Sequence, residues 1–170
     1  MLLLPWCLLC GLFWGNGVGA TGIPELKAAF VLNFAKLTRW PNTTRQGLEV
    51  CFATVAEAVG SALAEQGETW VNAAPLQVRR GVGLKELPAC DIVYLGAADE
   101  YRSRDILAKL SERPVLTISD LSGFNQAGGM IELFLEEGKL RFAVNLAALK
   151  RAGIEINARL LGLARGVIRE

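Results

Sequence analysis

The chain alternates short apolar runs with segments of helical spacing. Residues 23–38, IPELKAAFVLNFAKLT, put Pro24 at a helix start, place Leu26, Ala29, Phe30 and Leu37 on apolar positions and set Lys27 and Lys36 apart, which predicts a helix packed on a core. Pro41 disfavours helical geometry at Trp40, so this helix ends at RWPN. GLEVCFATV then reads as a buried strand, and AEAVGSALAEQG as a helix closed by Gly67. LQVRR after Pro75 is a short strand, CDIVYLGA a longer apolar one, EYRSRDILAKLSE a helix with Tyr101, Ile106, Leu107 and Leu110 on one face, and PVLTISD another buried strand. Apolar strands alternating with helices of this length predict an α/β fold: a single three-layer domain whose central sheet is mainly parallel and covered by helices on both faces.

The last third has a different rhythm. MIELFL and KLRFAVN alternate apolar with polar residues around EEGK, which predicts a C-terminal β-hairpin turned at Gly138. LAALKRAG follows as a short helix broken at Gly153, and Leu160, Leu163, Ala164 and Val167 carry helical spacing to the end.

Composition narrows the partners. With 18 basic against 17 acidic side chains and a formal charge of +1, the chain has no long-range field to draw in nucleic acid or an anionic membrane. Residues 1–20 contain no charged side chain, run apolar for about a dozen residues and end with Val18 and Ala20 at the positions a signal peptidase reads. They are expected to form a signal peptide cut after Ala20, leaving residues 21–170 as the mature domain in the periplasm. An uncleaved anchor is the alternative, although the run is short for the ~20 residues that span a bilayer; lipidation at Cys10 lacks the small residue that usually precedes such a cysteine. Asn42 opens an NTT sequon that matters only in a glycosylating cell. Export leaves Cys51 and Cys90 in an oxidising compartment. They either form a bridge between adjacent strands, closing a loop of about 40 residues for roughly 4 kcal/mol, or pack as two buried thiols.

Parallel sheets present ligands at the carboxyl ends of their strands. Three loops are expected to meet there: the one after Thr54, GAADE after Leu95, and SDLSGFNQAGG after Ile118. The last is rich in glycine, yet Gly128 and Gly129 lead into a strand rather than a helix and no Walker lysine follows, which argues against a phosphate cradle. The chain has no histidine, no GxSxG and no Ser-x-x-Lys, which argues against nucleophilic catalysis. No metal site or cofactor is expected. Asp120 is read as an Asx turn bonding amides two residues on, Asp99 and Glu100 as acids at a helix start, and Arg102 and Arg104 as solvated. Trp40 and Trp70 suit either a contact surface or the rim of the core.

Beyond these readings, LKAAFVLNFAKLTRWP, LPACDIVYLG, PVLTISDLSGFNQAGGMIELFLEEGKLRFAVNLAALKRAGIEI and ARLLGLA, in that order, resemble the YfiR family of periplasmic regulators. The specific part is TISDLSGFNQAGGMI followed by GKLRFAVN. The resemblance implies a non-enzymatic repressor that binds the periplasmic sensor domain of an inner-membrane diguanylate cyclase and so controls cyclic-di-GMP signalling and biofilm formation. It also implies an outer-membrane lipoprotein of the peptidoglycan-associated type that sequesters the repressor. Cys51 and Cys90 match one family cysteine pair; a second pair present in some members falls near Asn125 and Glu132, both non-cysteine here, and Ala143 stands where Glu is common. Asp120, Gly123, Phe124, Gly128, Gly129 and Asn145 are the candidate binding loop. Exposed Trp and Leu surfaces would suit a homodimer. The other reading is a periplasmic small-molecule receptor or binding protein that works with a transporter or an outer-membrane receptor.

Overall fold

The computed structural model describes residues 22–41, 47–67 and 69–169. The expected signal peptide with its cysteines, the sequon at Asn42 and residue Glu170 lie outside them. Among the described residues no helix is long and apolar enough to cross a membrane.

Helix α1 (Ile23–Leu37), with Pro24 in its first turn, runs into the two-residue strand β1 (Thr38–Arg39). Strand β2 (Leu48–Phe52) leads to α2 (Ala58–Glu65), and β3 (Thr69–Val71) turns tightly into β4 (Ala74–Arg80). A 3₁₀ turn at Leu87–Ala89 precedes β5 (Ile92–Leu95); a second at Ala97–Arg102 opens α3 (Ser103–Leu110), followed by β6 (Leu116–Ser119). The hairpin β7 (Ile131–Glu136) and β8 (Lys139–Asn145), helix α4 (Leu146–Arg151), strand β9 (Glu155–Ile156), helix α5 (Ala158–Leu163) and strand β10 (Gly166–Ile168) complete the chain.

Eight strands form one sheet in the order β10-β8-β7-β6-β5-β2-β4-β3, with a separate β1-β9 pair. Neighbours from β4 through β2, β5 and β6 to β7 are parallel; β3 and β8 join antiparallel, and β10 runs parallel to β8. Strands β5 and β6 are buried at every position, as expected of strands covered on both faces. Val50, Phe52, Ile92, Tyr94 and Ile118 pack with α1, α2, α4 and α5 on one side. Cys51, Val93 and Leu95 pack with Ile106, Leu107 and Leu110 of α3 on the other. The architecture is thus the three-layer, mostly parallel α/β sheet that the periodicity predicts, and the hairpin turns at Glu137 and Gly138 with φ 52° and 73°.

Three regions differ from expectation. The helical spacing expected to reach Val167 stops at Leu163, and Val167 instead pairs with Val144 as part of edge strand β10. A hydrogen bond from the Arg165 amide to the Phe142 carbonyl (2.9 Å) guides the chain onto the sheet edge; tertiary pairing outweighs weak local propensity there. Strand β4 begins at Ala74 and includes Pro75, and β3 with the exposed Trp70 pairs beside it through a turn at Asn72 and Ala73, both at positive φ. The two-residue strands β1 and β9 carry no periodic signal and exist only through their pairing of Thr38 with Ile156 and Arg39 with Glu155.

Candidate functional site at the carboxyl edge of the sheet

The three loops do meet. Asp99, fully buried, accepts hydrogen bonds from the Thr54 hydroxyl (2.9 Å), the Gly96 amide (3.2 Å) and the Arg102 guanidinium (2.6 Å). Arg102 also donates to Thr54 and lies 5.8 Å from the centre of the Tyr101 ring. Arg102, expected in solvent, is therefore half-buried in an ion pair, because a buried carboxylate at the start of a helix needs a partner of opposite charge. Arg104 is exposed as expected.

Asp120 is a second correction. Its carboxylate pairs with Lys27 of α1, while the turn that accepts the Leu121 amide is made by the neighbouring Ser119 hydroxyl (2.9 Å), which itself donates to the Leu95 carbonyl (2.8 Å). A sequence window cannot show that α1, 93 residues earlier, passes over this loop. Glu57 packs so closely on Gly96 that a Cβ there would lie 1.8 Å from its carboxylate. Burial, reinforced by the charges of Asp120 and Asp99, lifts the Glu57 carboxyl above its usual range, against the opposing pull of the Val59 amide and Lys27. Tyr94, buried beneath the same loops, has its phenol pushed far upward by burial and then by the carboxylates of Asp120 and Glu57.

Residues 120–130 replace a crossover helix. Strand β7 pairs with β6 only at Ile118–Ile131 and Ser119–Glu132, so the rest of the hairpin extends past the end of β6. Two side chains clamp the loop onto the sheet. The Glu132 carboxylate accepts the amides of Gly123 (3.1 Å) and Asn125 (3.0 Å). Asn145, buried, donates to the Asn125 carbonyl (2.9 Å) and caps α4 by accepting the Ala148 amide (2.9 Å). Gly123 and Gly128 have φ of 75° and 101°, a region L side chains disfavour. Gly129 serves close approach instead: a Cβ there would lie 2.2 Å from the buried Phe124 ring. The structure thus gathers Gly123, Phe124, Gly128 and Gly129 in one loop, held at Asn125 by Asn145 from the end of β8, with Asp120 at its root. Glu132, the residue that holds it, was visible in the sequence only as a non-cysteine.

Cys51 and Cys90 are joined in a disulfide with Cα atoms 6.1 Å apart, tying β2 to the start of β5. Glu49 lies beside them in a grouping with metal-ligand chemistry, but sulfurs bonded to each other offer no thiolate. The remaining space at this edge is open: a cleft of about 680 Å³ between α3 and the glycine loop, continuing into one of about 450 Å³ beside Tyr101.

Fold and edge define a three-layer α/β domain whose carboxyl edge carries the ion pairs of Asp99 and Asp120 beside a clamped loop. Residues 24–165 match the model of the YfiR/HmsC-like family, and the chain belongs to that family. Among solved structures it is similar to a conserved domain protein from Vibrio cholerae O1 biovar El Tor, with a TM-score of 0.53, 11% identity and 85% of this chain covered. It is also similar to the ABC domain from Streptococcus pneumoniae solved in complex with L-Trp, with a TM-score of 0.56, 9% identity and 85% covered. The chain spans 60% of each of those two chains, and at such identities the likeness is one of fold.

Proposed function

We propose that the chain is an exported, non-catalytic repressor that binds the periplasmic sensor domain of an inner-membrane diguanylate cyclase and holds the enzyme inactive. The observation that carries this reading is the family match over residues 24–165, which takes in strands β1 to β9, the disulfide and the glycine loop. The chemistry of the edge is compatible with it: Asp99 and Asp120 are both tied up in ion pairs, and a disulfide suits an oxidising compartment. Residues 1–20 would direct export, and a peptidoglycan-associated outer-membrane lipoprotein would relieve repression by sequestering the mature chain.

Deleting the gene is expected to raise cellular cyclic-di-GMP and biofilm mass. Re-expression of residues 1–170 restores the low level, and expression of residues 21–170 without the leader does not. Cyclic-di-GMP unchanged by deletion contradicts the proposal.

A further inference from the structure

The trough between α3 and residues 120–130 has features that neither the fold nor its stability requires. Arg104 and Leu107 stand on the α3 wall, Gly123, Gln126 and Gly128 on the loop wall, and Arg151 at the end where α4 finishes. The neighbouring cleft shares Arg104, Gly123 and Ala127 and continues past Glu100 and the largely exposed Tyr101, so the two form one elongated channel.

An unpaired arginine is not confined to this channel, since the exposed Arg39, Arg113, Arg159 and Arg169 also have no ion pair or side-chain hydrogen bond among the described residues. Arg79, Arg102, Arg141 and Arg165 each pair with a carboxylate; Arg104 and Arg151 have no hydrogen-bond or ion-pair partner among the described residues. Arg151 lies in the last turn of α4, where a cation also favours the helix dipole. Arg104 lies in the first turn of α3 beside Asp105, where the dipole disfavours a cation, and shares its cleft with Glu100 without forming an ion pair to it. Part of each wall carries little side chain, although Leu107, Ser111 and Gln126 also line the cleft. Gly128 has open space where a Cβ would be, and Ala108 and Ala127 face the same cleft. A main chain therefore fits between the walls with its side chains reaching the arginines. Because Glu132 and Asn145 already hold the loop, little ordering is needed on binding.

We propose that this channel seats an extended acidic segment of a partner protein, its carboxylates held by Arg104 and Arg151, an arrangement guanidinium groups favour through bidentate bonding. Glu100 at the Tyr101 end repels carboxylates, so the guest's acidic residues lie toward Arg151. The inference deepens the proposed repressor function and rests on it for the identity of the partner, while the trough's preference for acidic peptide is measurable by itself.

The probe is a fluorescein-labelled decapeptide of alternating Glu and Ala, with a Lys-Ala decapeptide as control, titrated with mature wild-type protein and with the double variant Arg104→Glu, Arg151→Glu while anisotropy is followed. Both arginines are exposed, and matching melting curves establish that the variant folds. Binding of the acidic peptide only, weakened at least about tenfold in the variant, a loss of roughly 1.4 kcal/mol, and weakened by salt, supports the proposal. No binding, or equal binding by both proteins, overturns it. A thermal shift of the wild type by inorganic phosphate, abolished in the variant and without peptide binding, also overturns it and assigns the channel to a small anion. The same variant expressed in the deletion strain separates the two readings. Peptide binding without any repression by the wild type rejects the repressor function and leaves the trough standing. Full repression by a variant that no longer binds peptide rejects the trough as the partner's seat and leaves the repressor function standing.

Discussion

Glu132 holds two amides of the glycine loop with one carboxylate. A hydrogen-bonded clamp of this kind does not depend on redox conditions. Glu132→Ala leaves the Gly123 and Asn125 amides without their acceptor, and a lost acceptor for a part-buried group costs about 1–3 kcal/mol. The expected outcome is a lower urea midpoint with unchanged m and faster hydrogen exchange at those two amides. Glu57 makes a second residue-scale prediction. Its folded carboxyl binds a proton more tightly than the unfolded one, so its contribution to stability rises as pH falls from above the folded pKa to below the unfolded pKa, and is lost as pH climbs back. Glu57→Gln keeps an oxygen for the Val59 amide (3.2 Å) and removes the charge facing Asp120 and Asp99. The variant melts higher than wild type at pH 7, and the gap closes as the buffer is taken down to pH 4; a gap that widens on acidification contradicts this assignment.

At the scale of elements, β2 and β5 lie side by side and the Cys51–Cys90 bond crosses them with both residues buried. The bond closes a separation of 39 residues, a constraint worth roughly 4 kcal/mol on the chain-entropy view. The pair Cys51→Ala, Cys90→Ala therefore unfolds at clearly lower urea, and burial makes the wild-type bridge react slowly with a dithiol reductant until urea opens the fold, measurable by thiol labelling. The elements differed in how legible they were. The buried strands around Val50, Val93 and Leu116 and the helix carrying Ile106, Leu107 and Leu110 announce themselves, because continuous apolar runs and 3.6-residue spacing come directly from which faces are covered. Strands β1, β3, β9 and β10 do not, since two or three residues cannot set a period and their existence depends on pairing with chain far away. The candidate loop shows the same division. Its glycines mark tight backbone at Gly123 and Gly128 from sequence alone, whereas the Lys27–Asp120 ion pair and the Glu132 clamp join residues whose proximity only the fold creates.

At the scale of the whole molecule, the carboxyl edge combines a self-neutralised set of ion pairs, a clamped loop and a channel with two unpaired arginines. A surface of this kind would suit the proposed binding of a partner, and with a net charge of +1 such recognition would rely on local complementarity rather than long-range attraction. The mature chain is proposed to act from the periplasmic side on a membrane cyclase. The most direct test adds purified residues 21–170 to spheroplasts of the deletion strain, whose outer face is accessible, and measures cyclic-di-GMP against protein concentration. A saturable, dose-dependent fall to the level of the parent strain is the result expected here. A cyclic-di-GMP level that stays high at every concentration, with the added protein folded and its disulfide intact, contradicts the account.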